Sequence, residues 1–237
     1  MKETVGDVVL LGTSHIAEQS VEEIKDTIQN YEFDVVCIEL DRGRLEGLYS
    51  KKKPTFRELV REVGAFGALF SMFGGYVQKK LAKDLGVEPG LDMKAAFETA
   101  RDNNIPIALI DVPIKITLKR LSSIPLHKKI GMFFRLIFSS FKKEYRKKLN
   151  VDIKKGVPDE KKIIEMLSIV EKEMPQVYDI LIEKRNKYMV KKIKKISEQH
   201  SGKILAVVGA GHVKGMRELL EEDKQSVGVF SYSFKQD

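Results

Sequence analysis

Two stretches of this chain run an apolar segment into Gly-x-x-His: VVLLGTSH, ending at His15, and ILAVVGAGH, ending at His212. The histidines lie 197 positions apart, and between them the apolar run DVVCIEL brings Glu39, with Asp41 just beyond it. Imidazoles and carboxylates are the donors that hold a divalent ion while leaving coordination positions open. Water on such an ion is a usable nucleophile near neutral pH. Each histidine also reads as an ordinary turn residue after a strand. The second stretch has a rival meaning as well, because GAGHVKG fits a Gly-x-Gly-x-x-x-Gly phosphate loop between strand and helix. A dinucleotide site needs a following strand that ends in an acid. The next strand-like segment offers Ser231 and Ser233 instead, so that rival is set aside.

For these residues to meet, the elements must bring strand ends to one edge. Five segments read as strands: Asp7 to Gly12, Asp34 to Leu40, Ile105 to Asp111, Lys203 to Gly209 and Ser226 to Phe234. Several are continuous apolar runs, which fit strands covered on both faces by helices. SVEEIKDTIQNY, with Val21, Ile24 and Ile28 on one side, and LDMKAAFETARDNN, with Ala95, Ala96 and Ala100, supply helices between the first three. The fold class expected is α/β, a mostly parallel mixed sheet of about five strands flanked by helices. The last segment alternates, with Phe230, Tyr232 and Phe234 on one side, and reads as an antiparallel or edge strand. Residues 113–200 read as a helical insertion inside a single domain covering 1–237, punctuated by Pro113, Pro125, Pro158 and Pro175. In doubly wound sheets ligands sit beyond the carboxyl ends of the strands, where both Gly-x-x-His stretches and Glu39 fall.

Composition is that of a soluble globular protein, with 43% hydrophobic and 32% charged residues. The single cysteine, Cys37, has no partner in the chain and lies in an apolar run, which predicts a small core residue in a reducing compartment. Met1 to Asp7 is polar and shows no signal-peptide pattern. The longest charge-free stretch, Val63 to Gln78, spans 16 residues and includes four glycines. That is short of the roughly 20 apolar residues a spanning helix needs. Net charge is +8, and Lys128 to Lys155 alone carries ten Lys or Arg against Glu144 and Asp152. With its phenylalanines, this segment suits an anionic membrane surface or a partner groove. It fits nucleic acid poorly, since no nucleic-acid module accompanies the charge. His127 and His200 lie in exposed-looking basic helices and carry no expected role.

The residues also carry a resemblance. GTSHIAEQSVEEI, DVVCIELDRGRLEGL, LGVEPGLDMKAAFETARDNNIPIALIDVPIKITLKR, EKRNKYMVKKI and VVGAGHVKGM follow one another in order. Together they are similar to the TraB/PrgY, or pheromone-shutdown, family, itself related to Tiki proteases and to erythromycin-esterase and ChaN-like proteins. Carried over residue by residue, the family's Glu-Leu-x-x-x-Arg becomes Glu39, Leu40 and Arg44, and its Gly-x-Glu becomes Gly86 and Glu88. Its Glu-Arg-Asn stretch is represented by Arg185 and Asn186, with Glu183 one position further upstream than the pattern places it. An arginine often found after the third strand's aspartate is replaced here by Val112, although Arg120 follows in the next helix.

What the resemblance implies is a metal-dependent hydrolase, peptidase-like in the Tiki manner, with a divalent ion of the Mn, Co or Zn class. His15, His212 and Glu39 would hold the ion, Glu39 serving as third ligand or general base. Arg185 would stabilise an oxyanion or grip a substrate carboxylate, with Glu88 and Asn186 behind the ligands. Arg44 and Arg120 pair either with site acids or with surface ones. The other implied activity has no chemistry in it: a regulatory module that sequesters a signal peptide or rests on a membrane. Expected partners are a peptide, an anionic membrane surface through the basic insertion, and a second copy of the chain burying its phenylalanine-rich faces. The expected location is the cytoplasmic side, with anchoring through a C-terminal region beyond this chain.

Overall fold

A computed structural model describes residues 1–13, 18–50, 54–85, 90–140 and 160–232. The sheet is built from β1 (Lys2–Val5), β2 (Val8–Thr13), β3 (Val35–Ile38), β4 (Ile107–Leu109) and β5 (Ile204–Gly209), in the order β1-β2-β5-β3-β4. β2, β5, β3 and β4 run parallel, and β1 is antiparallel at the edge. The α/β class and the mostly parallel mixed sheet therefore hold, as do four of the five expected strands.

Alternate residues of the strands feed two cores, as the two-residue period of a strand requires. One face carries Leu10, Cys37, Ala206 and Val208, packed against Met189, Ile193, Val213 and Met216. These belong to α9 (Lys184–Ser197) and α10 (Ala210–Tyr232). The other face carries Leu11, Val36, Ile38, Leu205 and Val207. It packs on Ile24 and Ile28 of α1 (Glu18–Asn30) and on Met93, Ala96 and Ala100 of α4 (Leu91–Asp102). Burial on both sides is why β2, β3 and β5 are apolar without interruption.

A third cluster lies among helices. It joins α3 (Phe56–Leu85), α5 (Ile114–Ser122), α6 (Leu126–Ser140) and α8 (Pro175–Tyr178) through Val63, Ala68, Leu118, Leu121, Met132 and Val177. α2 (Arg42–Tyr49) and α7 (Glu160–Glu173) complete the described helices. α3 is bent at Gly64, whose φ of 79° is in the left-handed region open to glycine. At Gly67 a Cβ would sit 2.6 Å from the Leu118 carbonyl oxygen, so the glycine lets α3 lie directly on α5. Part of the glycine-rich stretch thus serves helix packing.

Two expectations need correction. The alternating segment Ser226 to Phe234 is helix as far as it is described: α10 continues through it to Tyr232, and Ser233 and Phe234 lie outside the described residues. Val227, Phe230 and Phe234 are also spaced for one face of a helix, and a short apolar run does not distinguish the two periods. Among the described residues only one strand, β5, follows the helical region. The antiparallel edge comes instead from β1, within the N-terminal segment read as merely polar. It pairs Val5 with Val8 across a two-residue Gly6-Asp7 loop, with Gly6 at φ 61°. Gly-Asp between pairing runs is a hairpin signal, and it was legible.

Candidate active site

The register brings the two Gly-x-x-His stretches together. β2 and β5 are neighbours, with Gly12 opposite Val208 and Thr13 opposite Gly209, so both stretches leave the same edge side by side. Gly12 is required there, because a Cβ on it would lie 2.6 Å from Val213 Cγ2, one residue past His212. Thr13 donates from Oγ1 to Asp92 Oδ2 at 2.5 Å, tying the first stretch to the start of α4. His15 itself, and Glu88, lie outside the described residues.

β3 ends at Ile38 and delivers Glu39 to the same edge, 5% exposed. Glu39 Oε2 accepts the Gly209 backbone N–H at 2.6 Å, which joins the acid to the start of the second motif. Its Oε1 is bound by Arg185 and faces His212 Nε2 at 3.3 Å. His212, 4% exposed, turns its Nδ1 to Asn186 Oδ1 at 2.6 Å. Both ring nitrogens therefore look at acceptor oxygens. A neutral imidazole carries one N–H. With that proton on Nδ1, the Nε2 lone pair faces a carboxylate oxygen.

The neighbouring side of the edge is an ion-pair network. Asp111, beyond the end of β4 and 1% exposed, receives Arg185 Nε at 3.0 Å and Nη2 at 2.6 Å. It also receives Arg44 and the Val112 backbone N–H. Arg44 Nε reaches Asp41 Oδ2 at 2.7 Å, while Asp41 caps α2 through the Gly43 and Arg44 N–H groups. Arg185 adds a bond from Nη1 to the Leu181 carbonyl, so four of its five N–H donors are placed. Asp111 thus accepts two arginines from distant helices, although the arginine that often follows it in the family is absent here. Arg120 does not join; it is exposed near the end of α5.

Asn186 comes to His212 through an irregular helix. Asp179–Glu183 is a π-helical turn between α8 and α9. A π turn takes up one residue more than an α turn, and such turns recur at functional sites. The one-residue displacement of Glu183 falls on this turn. Gly215 then allows the contact, since a Cβ on it would lie 2.5 Å from Asn186 Nδ2.

Sequence reasoning missed Asp92 and gave Asp111 and Asp41 no firm place. Asp92 does stand at the start of a recognisable helix, directly after GVEPGL, which is where its signal lay. Among the described residues no three His, Cys, Asp or Glu side chains gather as a metal-holding group. Cys37 is fully buried in β3, and burial pushes its thiol up to about 12, which removes it as a nucleophile. Most of the basic segment Lys128 to Lys155 lies outside the described residues.

The chain is similar to known proteins over most of its length. A family model described as TraB/PrgY/gumN matches residues 2–227. An uncharacterised protein of Methanocaldococcus jannaschii, MJ1365, is 30% identical over 220 residues, covering 91% of this chain and 54% of the relative. TraB domain-containing proteins of Bos taurus and Homo sapiens are 24% and 23% identical over 240 residues, each match covering 89% of this chain and 62% of the relative. The chain thus spans little more than half the length of these relatives. With a match that runs through both Gly-x-x-His stretches and nearly end to end, this chain belongs to the TraB/PrgY/gumN family.

Proposed function

We propose that the chain is a metal-dependent hydrolase acting on peptides, with His212, Glu39 and His15 as the groups that hold the ion. The observation that carries this reading is the pair His212 Nε2 and Glu39 Oε1, two electron-pair donors facing each other at 3.3 Å in a buried site. Asn186 on Nδ1 fixes the ring orientation, the usual task of a residue behind a metal ligand. A divalent ion of the Mn, Co or Zn class would supply Lewis acidity and a water of lowered pKa. Glu39 is held for this work by the Gly209 N–H and by Arg185. Arg185 keeps one N–H donor open and 14% of its side chain exposed, which suits a guanidinium that orients Glu39 while drawing a substrate carbonyl or carboxylate toward the edge. Arg44 and Asp111 position Arg185 rather than meet substrate.

The test is metal content and peptide cleavage of protein purified without chelator. Both should fall together in His15→Ala and in His212→Ala. Unchanged metal content in both variants would remove the proposal.

A second reading, a peptide- or membrane-binding regulatory module without chemistry, is favoured by a different observation. Leu69, Met72, Phe73 and Tyr76 stand exposed on one stripe of α3, with Phe73 at 67%. Leu126, Ile130 and Phe134 do the same along α6. No described helix is long and apolar enough to cross a membrane. A stripe of this kind suits lying on a surface or burial against a second copy. Co-sedimentation with anionic but not zwitterionic vesicles supports the membrane form, and elution as a monomer at low and high salt removes the dimer. A regulatory module would bind peptide and return it intact.

A further inference from the structure

A cleft of about 430 Å³ opens beside the site. Its walls come from α7, the π turn with the start of α9, and the first turns of α10. Ile164, Leu167, Ile182 and Leu219 give it an apolar lining. Gly211 keeps it open, since a Cβ there would lie 2.7 Å from Leu167 Cδ1. Asn186 lines the cleft while being only 3% exposed.

The Asn186 amide works at both ends. Its Oδ1 meets His212, whereas its Nδ2 makes no hydrogen bond among the described residues. No fully covered side-chain nitrogen or oxygen among those residues lacks a partner, so Nδ2 reaches open space, and the space Asn186 lines is this cleft. Two N–H donors thus wait for an acceptor next to His212.

The cleft also has a charge. Glu171, Glu183 and Glu218 line it without a cation partner among the described residues, alongside Lys187 and Lys214. Burial raises the Tyr178 hydroxyl above its usual range, and the three glutamates raise it further. Among the described residues, three carboxylates against two lysines leave this lining net negative in a chain whose net charge is +8. That reversal of sign favours a cation at one end of the cleft.

We infer that this cleft is a subsite for a peptide with a free amino end: the ammonium group against Glu171, Glu183 and Glu218, a following apolar side chain on Ile164 and Leu167, and a backbone carbonyl on Asn186 Nδ2. The inference rests on the peptide reading above and adds which part of the peptide is recognised. It places the bound chain next to His212, because one amide holds both the ring and the ligand.

Calorimetric titration of the chain in EDTA tests it, since no cleavage is needed and failure of the metal proposal leaves this result readable. The probes are leucyl-alanyl-alanine amide with a free α-amino group and its N-acetyl twin; the amide cap leaves the lysines no carboxylate to bind. The free amine should bind about tenfold more tightly, equivalent to roughly 1.4 kcal/mol. Glu171→Gln, Glu183→Gln and Glu218→Gln combined should bring the two probes within about twofold at unchanged melting temperature, and added salt should narrow the gap in the native chain. Asn186→Leu should weaken both probes. Equal binding of the probes, tighter binding of the acetylated one, no binding of either, or a preference that survives the triple substitution would overturn the inference.

Discussion

The two sides of the sheet's carboxyl edge differ in what they leave open. On the β3–β4 side, Asp41, Arg44, Asp111 and Arg185 bind one another, and Asp111 is completely enclosed. On the β5–α10 side, His212 and Asn186 are as deeply buried, yet Nε2 faces a carboxylate and Nδ2 faces a cleft. A closed network holds geometry, and a half-open one is ready for a ligand. Glu39 belongs to both, with one oxygen on the Gly209 N–H and the other between Arg185 and His212. The closed side thereby aims the open one.

Breaking the closed side should cost the most. Asp111→Ala leaves Arg185 and Arg44 without their shared acceptor, and removing one partner from a buried charge network costs about 3–5 kcal/mol. Urea denaturation measures it, and a loss below about 1 kcal/mol would show that the network is not holding the edge. On the open side, Gly215→Ala puts a methyl group within 2.5 Å of Asn186 Nδ2. A stability loss of about 1–3 kcal/mol is expected. Under the proposed hydrolase function, peptide cleavage should fall by more than that loss explains, because His212 loses its support; full activity at reduced stability would separate Asn186 from function.

Cys37 lies in the core beneath both sides and gives a pH signature. Its folded pKa is raised from 9.0 to about 12 by burial. The stability it contributes is therefore complete below about pH 9 and is lost as pH rises toward 12. Between about pH 8 and pH 10.5 the native chain should lose up to about 2 kcal/mol more than Cys37→Ala does. Parallel pH curves for the two would contradict this. The smallest effect belongs to the exposed Arg42–Glu46 pair on α2. Glu46→Gln should shift stability by less than about 0.5 kcal/mol, which calibrates the buried network against a surface one.

Much of this edge was legible because it is built from strand ends. Uninterrupted apolar runs located β2, β3, β4 and β5, and the glycines marked where the chain turns out of two of them. That was enough to put Glu39 and His212 at one edge. The network was less legible, because it depends on distance in space: Asp111 and Arg185 are 74 residues apart, and Arg44 comes from a third element. The family pattern named all three without pairing them. The role of Asn186 needed the π turn, which has no periodicity in the sequence that would reveal it. The C-terminal alternation misled because a run of nine residues fits either period, and the β1 hairpin is hard to see because its edge strand is short and polar.

The central claim is that His212 and Glu39 hold a cation at this edge. Crystals grown with manganese, measured for anomalous scattering from that metal, test it most directly. The account predicts a peak within reach of His212 and Glu39, and loss of the peak in His212→Ala. A map with no peak at that position, or with the metal bound elsewhere while peptide is still cleaved, would contradict it.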